Sequence, residues 1–324
     1  MPTIISPARK KTSPAEAFSL RLPRPLPPGG TIGVVNPSSP VEPDLLDAGI
    51  AVLEAHGFRV VTAPHVRARD GHHAGAPVAR AADFTSFYAD PTVDVLWCAR
   101  GGSSALRLWP LLDWPALAAL PPKMVIGYSD TTSLLIPLVQ NVGTIALHGP
   151  LVFELGNTAP DVLDWQLRLL QSPEPAGPVL GHAADTLVSG TAEGQLCGGC
   201  LSLVAATLGT PYQINTTGKL LLLEDIDEAP HRVERYLAQF AAAGLFEAAA
   251  GVVFGTSSGA DDSRTLPLSQ IWADAVVPFG KPAVLGFPFG HVTPNYALPL
   301  GVRARLDADT GMLTLLEPAV ANYG

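Results

Sequence analysis

The stretch KMVIGYSDTT, residues 123–132, decides how this chain is read. An apolar run of strand length stops at Gly127, and Tyr128, Ser129, Asp130 and Thr131 follow before an apolar, helix-like segment. Serine, aspartate and threonine are the residues that open helices, so the stretch reads as a strand turning directly into a helix. Such a turn sets the Ser129 hydroxyl at the carboxyl edge of a sheet, where open α/β sheets bind their ligands. Two readings of Ser129 stand side by side. It is a helix cap, or it is the nucleophile of an elbow in which the next amide, that of Asp130, points at a developing oxyanion. Thr131 stands where Gly-x-Ser-x-Gly elbows carry their second glycine.

Outward from this stretch, apolar runs alternate with helical patterns, the mark of βαβ units and a mostly parallel sheet. Strands are expected at 31–37, 58–64, 93–100, 123–128 and 144–150, and helices at 44–57 and 77–89. The strands are nearly continuous in apolar character, as strands covered on both faces are. Residues 171–195, rich in proline, glycine and small side chains, read as a linker between an N-terminal domain at 31–170 and a C-terminal domain at 196–324. The second half holds expected strands at 219–224 and 251–255, a helix at 231–246 and a terminal hairpin at 302–318. The fold class is therefore α/β.

Composition bounds the function. The 324 residues are 47% hydrophobic, enough for two domains with sizeable cores. A net charge of -9 without long runs of like charge argues against nucleic acid or an anionic membrane surface, leaving small molecules as expected partners. Cys98, Cys197 and Cys200 are too few for a disulfide framework and fit a reducing, cytoplasmic setting. Residues 1–30, with seven prolines, read as a loose extension and not an export signal. The uncharged stretch 131–153 is interrupted by Pro137, Gln140, Asn141, His148 and Pro150, and reads as a buried helix followed by a buried strand, not a membrane span.

A serine nucleophile needs a base. His56, His65, His72, His73, His182 and His231 lie in polar or loop contexts, and His148 reads as a satisfied core histidine. His291 differs: in GFPFGHVTPNYALPLG, residues 286–301, glycines and prolines fix a loop that presents one imidazole, as a general base requires. The orienting carboxylate is sought in KLLLLEDIDEAPHRVERYL, residues 219–237, which offers Glu224, Asp225, Asp227 and Glu228. Glu224 ends a buried strand and is the candidate; Asp227 and Glu228 suit the cap of the following helix. Gly101 and Gly102, in a turn between strand and helix, are candidate oxyanion donors through their amides, as is Asp130.

Taken together these stretches resemble the serine L,D-carboxypeptidases of the murein tetrapeptide type, a family that includes the microcin-immunity peptidases. The matching segments are NPSSPV at 36–41, ARGGSSALRLW at 99–109, IGYSDTTSLL at 126–135, LHGP at 147–150, GGCLSLVAATLGTPY at 198–212, LLLEDIDEAPHRVERYL at 221–237 and GHVTPNYALPLG at 290–301, in the family's order. The resemblance implies a Ser-Glu-His triad on Ser129, Glu224 and His291. It further implies a flavodoxin-like N-terminal domain carrying the nucleophile, a smaller β-rich α/β C-terminal domain carrying the other two residues, no cofactor or metal, and a homodimer. Cys200 stands where the family usually has asparagine, and Ser103 where an aromatic is common. The implied activity is release of a C-terminal D-amino acid from a muropeptide. A microcin-type peptidase cleaving a peptidyl-nucleotide is the alternative in the same class, and a muropeptide-binding protein without turnover the alternative outside it. The CGGC at 197–200 supports a rival thiol redox reading; a zinc site there needs two further ligands.

Overall fold

The computed structural model describes residues 20–181, 184–258 and 266–322. The first half builds a doubly wound sheet from β1 (Thr31–Val35), β2 (Arg59–Thr62), β3 (Val95–Cys98), β4 (Met124–Gly127) and β5 (Ala146–His148). These five are parallel in the order 2-1-3-4-5, the flavodoxin-like order. Every residue of β1, β3, β4 and β5 is buried, as an apolar strand covered on both faces must be. The helices α1 (Pro43–Ala55), α2 (Pro77–Ala89), α3 (Trp114–Ala119), α4 (Thr132–Pro137) and α5 (Pro160–Gln171) fill the crossovers and follow β5. Stretch 131–153 is a buried helix and strand, and no described helix is long and apolar enough to cross a membrane.

The second half centres on an eight-stranded sheet. Its strands are β6 (Gly177–Pro178), β7 (Asp185–Val188), β8 (Thr191–Cys200), β9 (Leu220–Ile226), β10 (Gly251–Ser258) and β11 (Ala283–Phe287), with β13 (Arg303–Asp307) and β14 (Met312–Leu315). Strands β8 to β11 run parallel at the centre and the hairpin β13–β14 is antiparallel. The helices α6 (Leu201–Thr207), α7 (Pro230–Ala242), α8 (Leu245–Ala248) and α9 (Leu268–Val276) cover one face. Strand β12 (Leu298–Leu300) returns to the first sheet and pairs antiparallel with β5.

Four sequence expectations are corrected. The stretch 171–195 is not a bare linker, because β6, β7 and the first half of β8 lie in it; short strands bounded by glycine and proline carry too little apolar periodicity to be read. The domains are also interlocked, since β12, expected in the C-terminal domain, completes the N-terminal sheet. Of the extension at 1–30, residues 1–19 lie outside the described residues, whereas residues 20–30 dock. Arg21 bonds the Gly143 carbonyl at 2.8 Å and Leu26 is buried, its amide on Leu170 O at 2.8 Å. The helix expected at 231–246 divides into α7 and α8.

The period of two along β9 sets the site's geometry. Leu220 and Leu222 pack into the large core shared with the first sheet, whereas Leu221 and Leu223 pack into the helix-covered core of the second half. Continued one step, the alternation turns Glu224 toward the first domain and Asp225 toward α6.

Candidate active site

The site lies at the carboxyl edge of the first sheet. After Gly127 the chain is extended through Tyr128, then left-handed at Ser129 with φ of 61°, and enters a 3₁₀ turn at Ser129–Thr131 that leads into α4. A serine in that region costs on the order of 1–3 kcal/mol and persists only where its surroundings impose it. Among the described residues no hydrogen bond engages the Ser129 hydroxyl, so it does not cap α4. Neighbouring hydroxyls serve the turn instead: Thr131 Oγ1 donates to Tyr128 O at 2.8 Å and Ser133 Oγ to Asp130 O at 2.7 Å.

The loops after β1 and β3 brace this turn. Gly101 lies against Ser129, and a Cβ placed on it would stand 2.8 Å from Ser129 Cβ and 3.0 Å from Oγ, a gap no side chain tolerates. The Ser39 amide donates to Gly101 O at 3.2 Å and the Ser103 amide to Ser39 Oγ at 3.0 Å. The buried Asp130 carboxylate accepts from Ser38 Oγ and, at 2.8 Å, from the Ala105 amide. Burial pushes the Asp130 carboxyl up, against the pull of these donors and of Arg80. The Arg80 guanidinium in turn holds Pro37 O and Ser104 Oγ, the latter at 3.1 Å. The three candidate oxyanion residues, Gly101, Gly102 and Asp130, thus lie on loops tied to one another, Gly101 beside the Ser129 side chain and Gly102 against Ser39.

Glu224, in β9, and His291, in the loop after β11, both belong to the second half and meet on its side toward the first sheet. Glu224 Oε2 accepts from His291 Nδ1 at 2.7 Å and from the His291 amide at 3.0 Å. Gly290 permits this, because at its φ of 90° a Cβ would overlap the Glu224 carboxylate. Burial would raise the Glu224 carboxyl, but the neighbouring His148 and His291 imidazoles outweigh it and hold it well below the usual range. For His291 burial lowers the pKa, and the Glu224 hydrogen bond and charge, with Asp225 and Glu154, raise it overall. The His291 ring lies 4.8 Å from the Tyr128 ring, over the strand end that carries Ser129. Since Nδ1 faces the carboxylate, Nε2 is the nitrogen left for proton transfer.

The structure adds three residues that sequence reasoning missed. His148 is fully buried, with Nε2 3.6 Å from Glu224 Oε1; it is not the satisfied core histidine expected, for among the described residues neither ring nitrogen has a hydrogen-bond partner. Tyr128 donates its hydroxyl to Glu154 Oε1 at 2.5 Å. Glu154, whose carboxyl burial raises, lines a cavity of about 240 Å³ beside the His291 loop with Phe153, Asn157, Thr158, Thr293 and Asn295. The signal for His148 was its place in LHGP, directly after an apolar strand; Glu154 carried none.

The remaining candidates separate. Asp225 accepts from the Ser202 amide at 2.8 Å and so anchors the start of α6. Asp227 is exposed and does not cap α7, and Glu228 pairs with Arg232 at 3.7 Å instead of capping it, because the α7 N-cap is Ala229. His65 pairs with Asp83 at 2.9 Å, His56 bonds Val52 O at 2.7 Å, His73 faces Arg107 at 3.1 Å, and His182 lies outside the described residues. The cysteines are free and buried. Burial pushes the Cys197 thiol up to about 12 and raises Cys200 as well, opposite to the shift a redox thiolate needs.

A family model described as the LD-carboxypeptidase N-terminal domain matches residues 32–149, and its C-terminal counterpart matches residues 193–306. A putative carboxypeptidase of Streptomyces coelicolor is 39% identical over 304 residues, covering 92% of this chain and 97% of the relative. A probable murein peptide carboxypeptidase of Bacillus subtilis is 36% identical, covering 90% of this chain and 93% of the relative. In fold, the chain is similar to the microcin C7 self-immunity protein in its wild-type apo state, with a TM-score of 0.85 at 23% identity over 93% of this chain and 100% of that one.

Proposed function

Because this chain belongs to the LD-carboxypeptidase family, and so among the carboxypeptidase hydrolases, we propose that it is a serine-type L,D-carboxypeptidase that releases D-alanine from murein tetrapeptide during peptidoglycan recycling. Ser129 Oγ attacks the scissile carbonyl while His291 Nε2 takes its proton. Glu224 holds the imidazole and stabilises the imidazolium. The Asp130 amide, with Gly101 or Gly102, donates to the oxyanion. His291 then protonates the departing amine, and water hydrolyses the acyl-enzyme by the same relay. The observation that carries the reading is the 2.7 Å contact of a buried Glu224 with His291 Nδ1, the imidazole lying against Tyr128, the residue before a serine in a left-handed elbow. The substrate is a small peptide or muropeptide, and the free cysteines are compatible with action in the cytoplasm.

The test is incubation of the full chain with murein tetrapeptide, with D-alanine followed by mass spectrometry. Release by the wild type and none by Ser129→Ala is the expected result; tight binding without release would favour a muropeptide-binding protein. The fold likeness to the microcin C7 self-immunity protein supports one alternative, a peptidase acting on a peptidyl-nucleotide. Cleavage of such a compound at a rate far above that on tetrapeptide would favour it.

A further inference from the structure

Glu224 stands between two imidazoles, and only one of them has been given a task. Its Oε2 is taken twice by His291, whereas Oε1 is buried without a hydrogen-bond donor among the described residues and faces His148 Nε2 at 3.6 Å. Both ring nitrogens of the fully buried His148 are likewise unpartnered. Buried polar atoms are rarely left so, and here two of them face each other. Among the described residues, no other group on the surrounding elements serves Oε1. The Tyr128 hydroxyl is spent on Glu154, Asp225 on the Ser202 and Ile226 amides, and the Cys200 thiol lies with Ser202 and Asp225.

His148 is also firmly placed. It ends β5, in register with Gly127 at the end of the strand that leads to Ser129 and with Leu298 of β12. Its ring is edge-on to Tyr128 at 5.7 Å and to Phe289 at 5.6 Å, and a Cβ on Gly199 would come within 3.2 Å of its Cδ2. We propose that His148 is a positioning residue which, with its proton on Nε2, donates to Glu224 Oε1, so that the carboxylate is held from both domains and aims His291 at Ser129. The inference rests on the Ser129, His291 and Glu224 reading above.

Loss of this donor would leave Glu224 a more basic carboxylate, free to turn. It would hold the His291 proton more tightly, moving the His291 titration to higher pH and lowering kcat about ten- to a hundredfold with KM little changed, as expected for one hydrogen bond to a charged group. The experiment compares full-length wild type, His148→Leu, and His148→Gln, whose amide can still donate at similar reach. The His291 imidazole is titrated by ¹⁵N NMR, its signal assigned by its loss in His291→Asn, and the pH profile of tetrapeptide hydrolysis is recorded alongside. The expected result is an alkaline shift and reduced kcat in His148→Leu, both largely reversed in His148→Gln. Should His148→Leu fail to fold, His148→Asn, whose amide falls short of Oε1, replaces it. One His291 midpoint shared by all variants, with only thermal stability altered, would overturn the proposal. The imidazole titration needs no substrate, so a wild type that releases no D-alanine would count against the peptidase reading alone.

Discussion

Replacing Glu224 with glutamine removes a charge while keeping a shape. The glutamine oxygen can still accept from the His291 amide and Nδ1, which stand 3.0 and 2.7 Å from Oε2. The electrostatic support of the imidazolium is lost. In a comparable triad that loss lowers turnover by about 10⁴-fold. The effect here should be smaller, because Asp225 and Glu154 also raise the His291 pKa and survive the change. A fall of roughly 10²–10⁴-fold in kcat corresponds to about 2.7–5.5 kcal/mol of transition-state stabilisation. The sign of the pH effect follows from the same groups. Hydrolysis needs neutral His291, whose pKa is raised above 6.5 in the wild type, so activity falls as pH drops through a midpoint above that value. Without the Glu224 charge the burial that lowers the His291 pKa gains weight, and the acid limb moves to lower pH even as the plateau falls. The assay is kcat/KM for D-alanine release from pH 5 to 9, beside Asp227→Asn as control. Asp227 is exposed at φ of 55°, a conformation asparagine also adopts, so this control should stay within about 0.5 kcal/mol of wild type. A crippled Asp227→Asn with a near-normal Glu224→Gln, or an acid limb that does not move, would refute the assignment.

Ser129→Ala should abolish D-alanine release with the far-ultraviolet circular dichroism unchanged. Ser129→Gly should also be inactive but raise the melting temperature, since glycine relieves a left-handed φ of 61° that costs about 1–3 kcal/mol; a lower melting temperature would mean that the elbow is not strained. Gly290→Ala should lower both stability and turnover, because its Cβ would overlap the Glu224 carboxylate, and wild-type kcat in that variant would show that the His291 loop can shift freely. The double variant Cys197→Ala, Cys200→Ala should keep kcat/KM within a few-fold and show no response to reductant; strict dependence on a thiol reductant in the wild type, lost in the variant, would restore the redox reading.

Much of this site is written in local sequence. The run into Gly127 followed by Ser129 and Asp130 marks a strand-to-helix turn, because strand and helix signals depend on residues a few positions apart. The four leucines before Glu224 mark a buried strand for the same reason, and the glycines and prolines around His291 mark a rigid loop. Ordering and facing are another matter. Strands β6 and β7 escaped notice because two to four residues carry almost no periodicity, and β12 because its partner, β5, lies about 150 residues earlier in the chain. The alternation along β9 says that Glu224 and Asp225 point opposite ways, but a period of two does not say which face meets the first domain. Only packing settles that. Leu220 and Leu222 enter the shared core, so Glu224 reaches His291 and His148 while Asp225 turns to the start of α6. His148 shows the same limit: one apolar strand ending in histidine reads alike whether the imidazole is idle in a core or faces a buried carboxylate, because its partner lies 76 residues on in another sheet.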